Sequence, residues 1–221
     1  MQRLVEAAAV ALFALLALWA AVRLASATET PARAALVALC AILGWIATDF
    51  LSGMAHWAGD TWGSVRTPFI GPWFIRPFRE HHDDPKAMTR HDFIETNGAS
   101  CFGALPLLAV AALLPVEDHA AAFLQALLFF TALGSLLANQ CHKWAHADAS
   151  QLGPLVSGAQ RLGLVLPPVH HRLHHARPFD THYCTASGWM NVPLNAIGFF
   201  RALEYVIGKT SGVVPRAPEA R

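Results

Sequence analysis

Charge is scarce in this sequence. Asp, Glu, Lys and Arg make up 14% of 221 residues and balance to +1 at pH 7, against about a quarter in soluble domains. With no excess of basic residues, a nucleic-acid partner is excluded. Cysteine is sparse too. Cys40, Cys101, Cys141 and Cys184 include no CxxC pair, so neither a disulfide framework nor a thiolate cluster is indicated. No His is followed by Glu, which removes the zincin signature H-E-x-x-H. None of the seven glutamates has a His three residues on, which removes the Glu-x-x-His pairs of soluble di-iron bundles. Flavin, haem and ferredoxin motifs are missing, as are internal repeats and low-complexity tracts.

What stands in place of charge is apolar. Hydrophobic residues reach 54%, and a bilayer becomes the natural solvent. A span needs about 20 apolar residues. Between Glu95 and Glu117 lie 21 uncharged residues, and between Asp118 and Lys143 lie 24. Between Arg33 and Asp49 there are only 15, but the apolar pattern continues through FLSGMAHWAG to Asp60. The run from Ala7 to Val22 is long for a signal peptide and has no clean cleavage site after it, so it reads as a first membrane helix. The expectation is an all-α integral membrane protein with four transmembrane helices near 5–26, 34–60, 98–116 and 119–146. It forms one domain, 1–221, made of a first helix and loop (1–33), helices two to four with the 61–97 loop (34–146), and a His-rich cap (147–221).

Four spans put the N-terminus, the 61–97 loop and everything after 146 on one side. That side receives 14 of the 16 Lys and Arg, including Arg221; only Arg23 and Arg33 fall on the other. The positive-inside rule makes the larger side cytoplasmic. High Ala, Leu and Arg suggest a bacterial plasma membrane. Eleven of twelve histidines fall on this same side, His119 being the exception. After them, Ala196, Phe199, Phe200, Leu203, Val206 and Ile207 follow one helical stripe, with Arg201 and Glu204 off its centre. This C-terminal amphipathic helix either covers the cap or lies in the headgroup layer.

The histidines fall into four segments. Asp49, His56 and Asp60 share one face of the second helix, where ionisable residues are costly and usually face the bundle interior. For Asp49, a structural hydrogen bond to a neighbouring element is as plausible as a chemical role. His81 and His82 in FREHHDDP point about 100° apart on a helix, so they can serve two metals, or one metal and its surroundings. His142 and His146 stand one turn apart at the end of the fourth helix. In VHHRLHH, His171, His174 and His175 have the spacing of a three-ligand face, and His170 pairs with His174. A catalytic zinc takes about three protein ligands, and the imidazoles on this side are too many for one tetrahedral ion. A His-rich dinuclear site remains, for which iron is the natural occupant because open positions can bind O2.

The stretches DFLSGMAHWAGDTWGS, FIRPFREHHDDPKAMTRHDFIETNG, NQCHKWAH, PPVHHRLHH and YCTASGWMN, in unbroken order over about residues 45–207, resemble the Kua/CarF lipid desaturase family. The resemblance implies a membrane di-iron enzyme that uses O2 and draws electrons from a separate cytochrome b5- or ferredoxin-like donor on the cytoplasmic face. It implies His56, Asp60, His81, His82, His142, His146, His171, His174 and His175 as metal ligands. Asp49, Glu80, His91 and His170 would stand behind them, while His182 lies in a looser stretch of the match. The best-known activity of the family forms the vinyl ether bond of plasmalogens from ether phospholipids. A plastid branch desaturates an acyl chain of phosphatidylglycerol. A His-rich lipid hydroxylase would use a similar cluster, and a metal carrier would be expected to place ligands at both membrane faces. Arg66, Arg76, Arg79 and Lys86 either satisfy the positive-inside rule or attract an acidic donor or lipid phosphates.

Overall fold

The computed structural model describes residues 1–216; Arg221, counted above with the cytoplasmic side, lies outside them. In chain order the helices are α1 (Gln2–Ser26), α2 (Pro31–Thr61), α3 (Arg76–Asp83), α4 (Phe93–Leu113), α5 (His119–His146), α6 (Pro154–Arg161), α7 (Pro168–His174), α8 (Asn191–Ala196) and α9 (Phe199–Ser211). No strand is present among the described residues. Among them α1, α2, α4 and α5 are long and apolar enough to cross a membrane. The expected third span begins and ends earlier than the sequence suggested. Asp92 caps its N-terminus by accepting from the Glu95 N–H at 3.0 Å, so the helix takes in the polar turn before Gly98.

The chain divides into two compact units, residues 1–48 with 91–140 and residues 49–90 with 141–221. α2 and α5 each run from the first into the second.

In the first unit the core is built mainly from small side chains. Ala9, Ala20, Ala104, Ala111, Ala126 and Ala132 are buried beside Phe13 and Leu108. Larger residues such as Leu12, Leu15, Leu18 and Val22 stay exposed, an inside-out arrangement that suits a lipid surround. Arg3 pairs with Asp92, Glu6 lies against Gly98, and Arg23 donates to the Ala112 carbonyl at 2.7 Å. These contacts ascend together, so α1 and α4 run parallel. The same holds for α2 and α5. Cys40 contacts the Phe123 carbonyl, Gly44 lies against Phe130, and Thr48 donates to the Thr131 carbonyl at 3.1 Å. Parallel helices finish at the same end, and that brings the last turns of α2 and α5 together.

In the second unit those last turns meet α3, α7 and the segment 181–191. The segment is tied to α2 by one carboxylate. Asp49 Oδ1 accepts the N–H groups of Ala186, Ser187 and Gly188 at 3.1, 2.8 and 2.9 Å, and Oδ2 accepts that of Met190 at 2.9 Å. Gly53 lets the segment come close, because a Cβ there would collide with Cys184. The C-terminal stripe is divided rather than continuous: Gly198, at φ +63, separates α8 from α9. Phe199, Phe200, Leu203 and Ile207 pack around Trp57 and Tyr183, whereas Ala196 and Val206, expected on the same stripe, are exposed. Glu204, expected off the stripe's centre, is buried; it accepts from Trp57 Nε1 at 3.0 Å and from Arg201 Nη1 at 2.6 Å.

Candidate metal centre

All four histidine segments converge within the second unit. The last turn of α2 supplies His56 and Asp60, and α3 supplies His81 and His82. The last turn of α5 supplies His142 and His146. α7 and its C-cap supply His171, His174 and His175. The nine side chains sort into two groups, within each of which one donor atom per residue lies within 4.8 Å of the others. The first holds His81, His142, His146, His171 and His175; the second holds His56, Asp60, His82 and His174. The groups adjoin. The His142 ring is 5.3 Å from that of His56, and the His171 ring is 5.6 Å from that of His174.

Helical geometry explains the sorting. His81 and His82 diverge by about 100° and enter different groups. His142 and His146, one turn apart, stay together, as do His56 and Asp60. The three-ligand face expected of His171, His174 and His175 does not serve one group. α7 ends at His174, and His171 and His175 turn to the first group while His174 turns to the second.

The donor atoms fit cations. In the first group His175 Nε2 lies 3.0 Å from both His81 Nε2 and His171 Nε2. A neutral imidazole carries one N–H, so at most one of these contacts can be a hydrogen bond from His175. His56 Nε2, His142 Nε2, His146 Nε2 and His174 Nε2 are buried and make no hydrogen bond. Leaving a buried polar atom unsatisfied costs about 1–3 kcal/mol; a cation accepting these lone pairs removes the cost. In the second group the Asp60 carboxylate lies 3.1 Å from His82 Nε2 through either oxygen. Its Oδ2 is 3.5 Å from both His56 Nε2 and His174 Nε2. Five imidazoles beside three imidazoles and a carboxylate is a donor set for first-row transition ions, and five donors exceed what tetrahedral zinc takes.

His81, His171, His174 and His175 are held neutral, the form that ligates. Burial, reinforced by neighbouring imidazoles, pulls His81, His171 and His174 well below the ordinary histidine value. The same causes bring His175 down to about 3. His174 is also oriented: its Nδ1 donates to the Thr181 carbonyl at 2.8 Å, which leaves Nε2 as the lone-pair nitrogen facing Asp60.

The remaining candidates lie elsewhere. Asp49 belongs to neither group and anchors the 186–190 backbone. His170 also stands outside both groups. Asn191 Nδ2 approaches His170 Nε2 at 3.1 Å and also donates to the Cys184 carbonyl at 3.0 Å, while Asn191 Oδ1 accepts the Cys184 N–H at 2.8 Å. His182 Nδ1 contacts Thr181 Oγ1 at 2.9 Å and stays outside the groups. The Glu80 side chain is exposed and 3.9 Å from Arg76. His91 is in the first unit, 3.5 Å from Glu95. Sequence reasoning passed over Asn191 and the Thr181 carbonyl. Asn191 closes the quoted stretch YCTASGWMN and could have been singled out there; a backbone carbonyl leaves no signal in a sequence.

Two clefts reach the groups. One is lined by Asp60 and His82, by Phe179 and Tyr183, and by the charged side chains of Asp180, Arg201, Glu204 and Arg216. The other reaches His146, His171 and His175 between Pro85, Pro168 and Arg172.

Four helices long and apolar enough to span a bilayer, and two adjoining groups of side chains that could each hold a metal ion, define a membrane protein with a candidate metal centre. A family model described as a lipid desaturase domain matches residues 45–218, and the chain belongs to that family. It is 47% identical over 179 residues to the plasmanylethanolamine desaturase of Myxococcus xanthus, a match covering 79% of this chain and 62% of that protein. It is 44% identical over 193 residues to plasmanylethanolamine desaturase 1 of Mus musculus, covering 84% and 70%. It is 35% identical over 184 residues to the chloroplastic fatty acid desaturase 4 of Arabidopsis thaliana, covering 81% and 54%. No solved structure matches this chain.

Proposed function

We propose that this protein is an O2-dependent membrane lipid desaturase that forms the vinyl ether bond of plasmalogens from plasmanyl ether phospholipids. The observation that carries the reading is the pair of adjoining ligand groups, His81, His142, His146, His171 and His175 beside His56, Asp60, His82 and His174. The higher identity to two plasmanylethanolamine desaturases than to the plastid enzyme favours the ether-linked chain over an acyl chain.

The nine side chains would hold two iron ions, which when bound supply the reductive activation of O2. The overall change takes one hydrogen from each of the first two carbons of the O-alkyl chain. With two electrons and two protons from outside, both oxygen atoms leave as water, and the product gains a double bond next to the ether oxygen. The protein's own part is positioning and exclusion. His174, fixed through Thr181, and Asp60, shared among three imidazoles, keep the second group in register. Phe78, its ring 5.0 Å from that of His56, and Tyr183, its ring 6.1 Å from that of His56, dry its apolar side. A dry, preorganised site limits side reactions. Electrons come from a separate cytochrome b5- or ferredoxin-like protein. The positive-inside distribution supports a cytoplasmic site, and the high Ala, Leu and Arg content supports a bacterial plasma membrane.

The test is lipid analysis of cells expressing the chain and supplied with an alkyl-ether phospholipid. Acid-labile vinyl ethers, lighter than the precursor by two hydrogens, are expected with the intact protein and not with His174→Ala. Products that gain oxygen would indicate a hydroxylase. A double bond in an acyl chain of phosphatidylglycerol would indicate the plastid-type activity instead.

A further inference from the structure

On the reading above, the reacting carbons adjoin the ether oxygen, and only a few covalent bonds through glycerol separate them from the headgroup phosphate. Whatever holds that phosphate must therefore sit close to the ligand groups. In the second unit the cleft lined by Asp60 and His82 meets this condition and is also the one of opposite charges. Its lining carries Arg201 beside Asp180, together with Glu204 and a second arginine, Arg216.

The guanidinium there is aimed rather than loose. Arg201 Nη1 donates to Glu204 Oε2 at 2.6 Å and Nη2 to the Asp180 carbonyl at 3.1 Å, and Nη2 lies 3.6 Å from Asp180 Oδ2. Glu204 is itself buried and fixed by Trp57 Nε1. Held from behind in this way, Arg201 still has N–H donors for an incoming anion, and its side chain is 48% exposed. The Asp180 side chain is 40% exposed beside it. The other cleft, at His146 and His175, presents Arg172 among prolines and alanine, with no carboxylate in its lining. It lacks the paired charges that a zwitterion requires.

We propose that the Asp60–His82 cleft is the headgroup subsite: Arg201 takes the phosphodiester of the lipid, and Asp180 takes the ammonium of an amine-bearing headgroup. The subsite deepens the proposed function and rests on it. It would make the enzyme select a zwitterionic amine phospholipid over an anionic or a phosphate-free one.

The experiment measures calorimetric binding to the full-length protein in detergent, as purified and without reductant, so that no turnover occurs. Three short-chain 1-O-alkyl probes are compared: glycerophosphoethanolamine, glycerophosphoglycerol and plain alkylglycerol. Arg201→Gln is expected to weaken binding of both phosphorylated probes by about tenfold and to leave alkylglycerol unchanged. Arg201→Lys is expected to retain most of the affinity, and Asp180→Asn to erase the preference for phosphoethanolamine over phosphoglycerol. Equal weakening of all three probes by Arg201→Gln would reduce Arg201 to a structural strut and overturn the subsite. So would an Arg201→Gln protein that binds all three probes as tightly as the unsubstituted one. Should Arg201→Gln fail to fold, Asp180→Asn decides, and an unchanged headgroup preference sinks the proposal. Failure of the proposed function reads differently: the expected binding pattern would be present, yet no vinyl ether would form in cells.

Discussion

His174 shows what one side chain contributes here. It is fully buried, its Nδ1 is committed to Thr181, and its Nε2 has only Asp60 and neighbouring imidazoles to face. Replacing it removes a donor that no other residue supplies. His174→Ala is expected to abolish desaturation and to lower bound iron measured by mass spectrometry of the purified protein. His119→Ala, at the other end of α5, is expected to change neither. The depressed imidazoles also set a pH dependence. A buried His whose folded value lies below the unfolded one binds fewer protons folded than unfolded at mildly acidic pH, so stability falls as pH falls. For His175 the loss begins as pH drops below about 6.5 and continues until about 3. Thermal unfolding of the metal-free protein should therefore shift to lower temperature across that window; a flat profile would contradict neutral burial. At this scale the sequence was legible because clustered imidazoles in an apolar chain have few bland explanations. The division of His171, His174 and His175 between two groups was not, because it depends on where α7 stops.

At the scale of elements, the contact that matters most is between α2 and the 186–190 segment. Four backbone N–H groups converge on the Asp49 carboxylate, all at 3.1 Å or less. An Asn in its place turns one acceptor oxygen into a donor facing donors. Asp49→Asn is expected to destabilise the protein by about 2–4 kcal/mol and to speed hydrogen exchange at Ala186–Met190 before exchange elsewhere. Unchanged protection there would show that the segment is held by other means. Sequence spacing put Asp49 on the same face as His56 and Asp60, and left its role open between chemistry and a structural bond. The structure gives it the bond, because its partners come from a segment more than a hundred residues away. The C-terminal stripe was read correctly as amphipathic but not as interrupted. Gly198 permits a left-handed residue that no apolar periodicity reports.

For the molecule as a whole, the four spans were readable from uncharged stretches of adequate length. The division into two units was not, since α2 and α5 pass from one to the other without a linker. The proposed sidedness has its own test. A fluorescent reporter fused after Arg221 is expected to fold on the cytoplasmic side, and a periplasm-dependent phosphatase at the same point to stay inactive. The opposite pattern would move the chemistry to the other face.

The parallel course of α2 and α5 carries a further consequence. Membrane insertion senses only how greasy and how long a helix is, so one extra alanine between Thr48 and His56 would pass unnoticed by the bilayer. Yet it would swing His56 and Asp60 around the helix axis by about 100° and point them away from His82 and His174. The meeting of the two ligand-bearing helix ends is therefore set by a residue count that greasiness alone does not report.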